Sequence, residues 1–173
     1  MYFYRAPSST PMDFASFLAN NGPDYQGRTL AQIWAYDHTQ MENLHDYIQV
    51  VFPTHEPSQF NARSSHLDSP ELIASLRANP VVVENMVRSA NWFLDFLQES
   101  HHWHASHDHN QLRITRIIKS LRLLVSDEKA HDFRGIVYEM LPDNHRVNPT
   151  TLQYWKDACP DLPPKPSASN LPQ

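Results

Sequence analysis

Three times in this chain a side chain able to cap a helix stands directly before a proline: Ser69-Pro70, Asn79-Pro80 and Asn148-Pro149. In such a pair the hydroxyl or amide oxygen accepts from a first-turn N–H that has no helical partner. The proline suits the first turn because its ring presets φ and its missing N–H is not needed there. Each pair therefore predicts a helix start. Fourteen prolines against 3 glycines extend the argument, leaving little material for tight strand turns and much for helix starts. The expected fold is all-α, an irregular bundle of about six or seven helices in a single domain, since 173 residues suit one core.

The remaining punctuation places a first helix over residues 12–20, stopped at Asn21-Gly22-Pro23, and a second over 29–52, closed by Pro53. A break of the second helix near Asp37 to Thr39 is the alternative. Helices are expected over 70–78 and 80–99, the latter with Val83, Val87, Ala90, Leu94 and Leu97 at helical spacing. Three more follow over 108–125, from after Ser126 to Met140, and over 149–158. Residues 1–158 thus read as one helical domain, and 159–173 as a Pro-rich, disordered tail.

Lys and Arg number 14 against 19 Asp and Glu, a net charge of −5, and no basic block is present to neutralise a phosphate backbone. Nucleic acid is therefore not an expected partner. Cys159 is the only cysteine, so no intrachain disulfide can form and a reducing, intracellular compartment, cytoplasm or nucleus, is the natural reading. The N-terminus MYFYRAPSSTPMDF lacks the basic start and apolar run of a signal peptide, and no stretch approaches about 20 apolar residues. A soluble chain without integral membrane association is expected.

Two strings carry a family resemblance: HDYIQVVFP at 45–53 and HNQLRITRIIKSL at 109–121. With Phe3-Tyr4, Trp34, Asp37, Met41-Glu42, Asn61 and Glu71 in order around them, the chain resembles the opioid growth factor receptor conserved region. It departs from that pattern at Val50, where the family has Trp, at Met41 for Leu, and in lacking an FYG-like middle stretch. The resemblance implies a helical domain with receptor or binding activity. The family's namesake is linked to an enkephalin-like growth factor peptide, which implies a peptide or protein partner here.

If the second helix is continuous, His38, Glu42, His45 and Gln49 fall within about 40° and form a polar ridge, with Met41, Leu44, Ile48, Val51 and Phe52 on the neighbouring face. Such a ridge reads first as a hydrogen-bonded seam between helices. Asp37 would then point into the apolar face and need an arginine. In the helix after Asp108, Ile114, Ile117, Ile118, Leu121 and Val125 make a core stripe, while His109, Arg113 and Arg116 share a flank. Arg113 or Arg116 is accordingly expected to pair with Asp37 or Glu42. The functional version uses the same guanidinium flank to bind a small anionic ligand or a peptide terminus. Asp37, Glu42, His45, Gln49, His109, Asn110, Arg113 and Arg116 are the ligand-binding candidates, and the 45–53 and 109–125 helices are expected to pack at the centre.

The competing class is an enzyme with its site in the helical core. Glu-x-x-His, the spacing by which a helix offers two ligands to one metal, occurs at Glu42/His45, Glu99/His102 and Glu128/His131. Glu42, His45, Glu128 and His131 would be the ligands of iron, zinc or manganese, with Glu71, Glu84 or Asp95 supplying further carboxylates; otherwise no cofactor is expected. The tract HHWHASHDH at 101–109 is read as a polar interhelix loop rather than a metal centre, and Trp92, Phe93, Phe96 and Trp103 as core rather than a ligand cavity. Nucleophilic catalysis has no support, since Cys159 adjoins Pro160 near the tail and neither a Gly-rich serine elbow nor a phosphate loop is present.

Overall fold

The computed structural model describes residues 12–57 and 66–161. Phe3, Tyr4, Asn61 and the expected tail beyond Asp161 lie outside the described residues. Among the described residues there are nine α-helices and one 3-10 turn, and no strand, so the all-α class is borne out. The backbone divides into two compact units, residues 1–85 and 86–173, and α6 (Pro80–Glu99) begins in the first and continues into the second.

In the first unit, α1 (Phe14–Leu18) starts where the Asp13 carboxylate accepts from Ser16 N at 3.1 Å, and it buries Phe14, Phe17 and Leu18. It stops at Asn20, whose φ of 59° is the left-handed geometry asparagine tolerates, and whose Oδ1 accepts from Ala31 N at 3.1 Å. The 29–52 stretch is not one helix but three short ones, α2 (Leu30–Trp34), α3 (His38–Asn43) and α4 (Ile48–Val51), the alternative of a break near Asp37 being borne out and a second break added. The reason is local. Thr29 with Gln32 and Asp37 with Gln40 each form a capping box, so the backbone restarts at Asp37 rather than running through it. A second break follows where Leu44 turns extended, and the Tyr47 hydroxyl donates to Met41 O at 2.6 Å, satisfying a carbonyl that the helix end leaves open. Then α5 (Pro70–Ala78) starts on the Ser69 cap as expected.

The other two cap-proline pairs behave alike. Asn79 Oδ1 accepts from Val81 N at 3.0 Å at the start of α6, and Asn148 caps α9 (Pro149–Ala158) through Thr150 N. On α6 Val82, Met86, Ser89, Phe93 and Phe96 are buried, and of the expected stripe Ala90, Leu94 and Leu97 are buried whereas Val83 and Val87 are half-buried.

In the second unit, the Trp103 indole is fully buried and donates to Leu97 O at 2.9 Å. The His-rich loop contains a 3-10 turn, His102–His104. Next, α7 (His109–Leu124) packs against α8 (Asp127–Met140), α9 and the 3-10 turn. Its core stripe of Ile114, Ile117, Ile118 and Leu121 is as expected. Two buried polar residues, one on α7 and one on α8, tie backbone carbonyls in this unit. Gln111 donates from Nε2 to Trp103 O at 3.0 Å and Ala105 O at 2.8 Å, fastening the His-rich loop to the helix, while its own carbonyl accepts from the Trp155 indole at 3.1 Å. On α8, Arg134 is buried among Ala130, Phe133 and Val137, and its guanidinium donates to Lys156 O, Cys159 O and the Asp161 carboxylate. Cys159 and Asp161, placed by the sequence reading at the start of the tail, are thus held by a buried arginine.

Candidate functional site

The signature in the first unit straddles a helix break. Glu42 ends its course on α3, His45 and Asp46 sit in the extended link, and Gln49 lies on α4. The polar ridge of His38, Glu42, His45 and Gln49, which needed one continuous helix, therefore does not form as a helical face, and the 45–53 helix shrinks to α4. Met41, Ile48, Val51 and Phe52 are nonetheless buried as expected. Asp37 is not a buried carboxylate facing an apolar wall; it is exposed, and its Oδ1 accepts from Gln40 N at 2.7 Å as the N-cap of α3.

The link carries a cluster that the motif did not reveal. Asp24, buried in a turn that reverses at Gly27 (φ 84°), accepts from Gln26 N and Arg28 N at 2.9 Å each and pairs with the Arg28 guanidinium at 2.7 Å. Arg28 reaches on to the Asp46 carboxylate at 2.8 Å and to Tyr36 Oη at 3.3 Å. Burial alone would lower the Arg28 pKa, and the two carboxylates and Tyr36 outweigh it and raise it. Burial pushes the Asp46 carboxyl up, but Arg28 and Gln26 hold it below the ordinary value. This charge network therefore anchors the signature link to the 24–28 turn.

In the second unit Asp108 caps α7 through Asn110 N at 2.9 Å, and His109 Nδ1 lies 4.0 Å from that carboxylate. Asn110 is fully buried and accepts from Arg113 Nη1 at 3.1 Å. Arg113 is itself buried, whereas Arg116 is half-buried. Of the Glu-x-x-His copies, Glu42/His45 and Glu99/His102 lose their common helix because α3 ends at Asn43 and α6 at Glu99. Glu128/His131 alone keeps helical register, on α8, with Glu128 exposed and His131 Nε2 3.9 Å from Asp161. Of the aromatic residues weighed as a ligand cavity, Phe93, Phe96 and Trp103 are core.

A groove of about 550 Å³ lies between the end of α8 and α9, lined by Tyr138, Leu141, Pro142, Leu152, His145 and Lys156, with Asp143, Pro149 and Gln153 beside them. This is within the size range of small-ligand sites, roughly 300–1,000 Å³. The Arg134 guanidinium lies 5.7 Å from the ring centroid of Tyr138, one of the lining residues, while bonding Cys159 O and the Asp161 carboxylate. Tyr138 stacks obliquely on Trp155 at 6.2 Å, and burial pushes its phenol pKa up, so the ring stays neutral across ordinary pH. An apolar floor with a cation, a carboxylate and an imidazole at its edges can seat an apolar side chain and orient the polar backbone attached to it.

The family model for the opioid growth factor receptor (OGFr) conserved region matches residues 16–159. The chain belongs to that family. Two curated relatives, both named opioid growth factor receptor, come from Rattus norvegicus and Mus musculus. Each is 32% identical over 110 residues, covering 53% of this chain, and 19% of the rat and 17% of the mouse protein. The chain thus spans less than a fifth of the length of these relatives. No solved structure matches. Among the described residues of this opioid growth factor receptor-family chain, no helix is long and apolar enough to cross a membrane.

Gln111 and Arg134, absent from the sequence-based candidates, had a readable signal: each is a polar residue at helical spacing on an otherwise apolar stripe. The Asp24, Arg28 and Asp46 cluster had none beyond the i, i+4 spacing of its first two members.

Proposed function

We propose that this chain is a peptide-recognition domain and that the groove between α8 and α9 is where it holds its ligand. The observation carrying the proposal is the groove itself, apolar at Tyr138, Leu141 and Leu152 and edged by Lys156, Asp143 and His145. Membership in the family and relatives named for a growth factor receptor support binding as the activity and a peptide as the ligand class. Leu152 would anchor an apolar side chain, and Lys156 would orient a carbonyl or carboxylate of the peptide.

Isothermal titration with a synthetic enkephalin-like peptide tests this reading. Lys156→Glu, an exposed substitution, should weaken binding about tenfold, the order of one charge-assisted hydrogen bond. Absence of binding to the unmodified chain would remove the proposal. Binding indifferent to Lys156→Glu and Leu152→Ala but lost in His45→Ala or Arg116→Ala would move recognition to the signature residues.

The metal-dependent reading now has its helical spacing only at Glu128/His131. Elemental analysis of untagged protein decides it: stoichiometric iron, zinc or manganese lost in Glu128→Ala would establish a centre there.

A further inference from the structure

The groove's rim, residues 142–147, is fixed by three consecutive backbone donors. His145 N donates to Pro142 O at 3.0 Å, Arg146 N to His104 O at 2.7 Å, and Val147 N to His145 Nδ1 at 3.2 Å. An imidazole nitrogen accepts only while it carries no proton, so the Val147 bond requires the neutral tautomer with its hydrogen on Nε2. Val147 is buried, and the next residue, Asn148, caps α9. The bond therefore fixes the point at which the rim enters the helix forming one wall of the groove.

We infer that the groove is coupled to pH through His145, whose protonation at Nδ1 detaches the rim at Val147 and weakens the hold on a bound peptide. The inference rests on the groove being the ligand site and adds its regulation. His145 shares the groove lining with Tyr138 on α8, Lys156 on α9 and Asp143 in its own loop, Arg146 follows it in the chain, and it interacts electrostatically with His104 on the 3-10 turn. Asp143 brings a negative charge, Lys156 and Arg146 bring positive charges, and Tyr138 stays neutral. His101 lies 5.7 Å from His104, ring centroid to centroid. Burial, then His101 and His145, hold the His104 pKa below its ordinary value, so the His104 ring favours the neutral form. The sign follows from the bond: a rim held by an unprotonated Nδ1 is intact while the ring is neutral and is released when acid adds a proton there.

Amide hydrogen exchange read by NMR, without any ligand, tests this directly. After correction for the intrinsic pH dependence of exchange, protection at Val147 should fall about tenfold between about pH 7.5 and 5.5. His145→Asn is the informative variant, because an Asn Oδ1 accepts from the N–H two residues on, as in an Asx turn, and does not titrate. Protection at Val147 should then persist. An unchanged Val147 in the unmodified chain, an equal fall in His145→Asn, or ¹⁵N shifts showing the proton on Nδ1 of His145 at pH 7.5 would each overturn the inference. Peptide binding is a separate arm: an enkephalin-like peptide should bind about tenfold more weakly at the lower pH, and His145→Asn should abolish that difference. A rim that titrates in a chain that binds no such peptide would leave the pH coupling standing and remove the recognition reading alone.

Discussion

At the scale of single residues, burial and hydrogen-bond partners set what a substitution costs. Asp24 has a fully covered side chain and accepts from two backbone N–H groups and from Arg28. Asp24→Asn removes the charge while keeping the shape, leaving Arg28 with Asp46 and part of its own desolvation unmet. A loss of about 3 kcal/mol is expected, the lower end for breaking a buried pair from one side, and urea denaturation measures it. Gln111 is the counterpart in the second unit. Gln111→Ala leaves the carbonyls of Trp103 and Ala105 without their donor. About 1–3 kcal/mol should be lost, and Trp103, now fully buried, should shift its fluorescence to the red.

At the scale of elements, the caps decide where helices begin, and α3 gives the sharpest test. Asp37 serves it as N-cap, so Asp37→Ala should cost about 1 kcal/mol while Asp37→Asn, which keeps the accepting oxygen, should stay within a few tenths. Thermal melts of both variants separate this role from an ion pair with Arg113 or Arg116, which either substitution would abolish. Ser69, Asn79 and Asn148 were legible as caps because capping is a local contract between one side chain and an N–H two or three residues ahead. The break at Leu44 was not. The apolar spacing of Met41, Leu44 and Ile48 fits one long helix, and the competing arrangement depends on Asp46 meeting Arg28 and on the Tyr47 hydroxyl meeting Met41 O. Neither meeting is visible in spacing along the chain.

At the scale of the whole molecule, pH response should show two acid steps. His104 has a lowered pKa, so its contribution to stability is complete above the ordinary imidazole value and is lost as pH falls toward the lowered one. Asp46 and Asp161 also have lowered pKa values, Asp46 because Arg28 and Gln26 outweigh its burial and Asp161 chiefly because Arg134 bonds it. Their contributions are present above the ordinary carboxyl range and are lost at still lower pH. Melting temperature followed from pH 7 to 3 should decline first as pH falls below the ordinary imidazole range and more steeply once it falls below the ordinary carboxyl range. His104→Gln should flatten the first decline, and Asp46→Asn the second.

By itself the sequence determined the helical class, most helix starts, the α7 core stripe and the family, since capping, proline geometry and 3.6-residue periodicity act within a few neighbours along the chain. The tertiary structure decided the rest: Asp37 became a cap, Glu42 and His45 were separated by a helix end, and the buried Gln111 and Arg134 became ties to distant carbonyls. It also assembled a groove from the end of one helix and the face of another. Those outcomes depend on which groups meet after the chain has turned back on itself, and a polar side chain buried by such a meeting takes whatever partner the fold supplies.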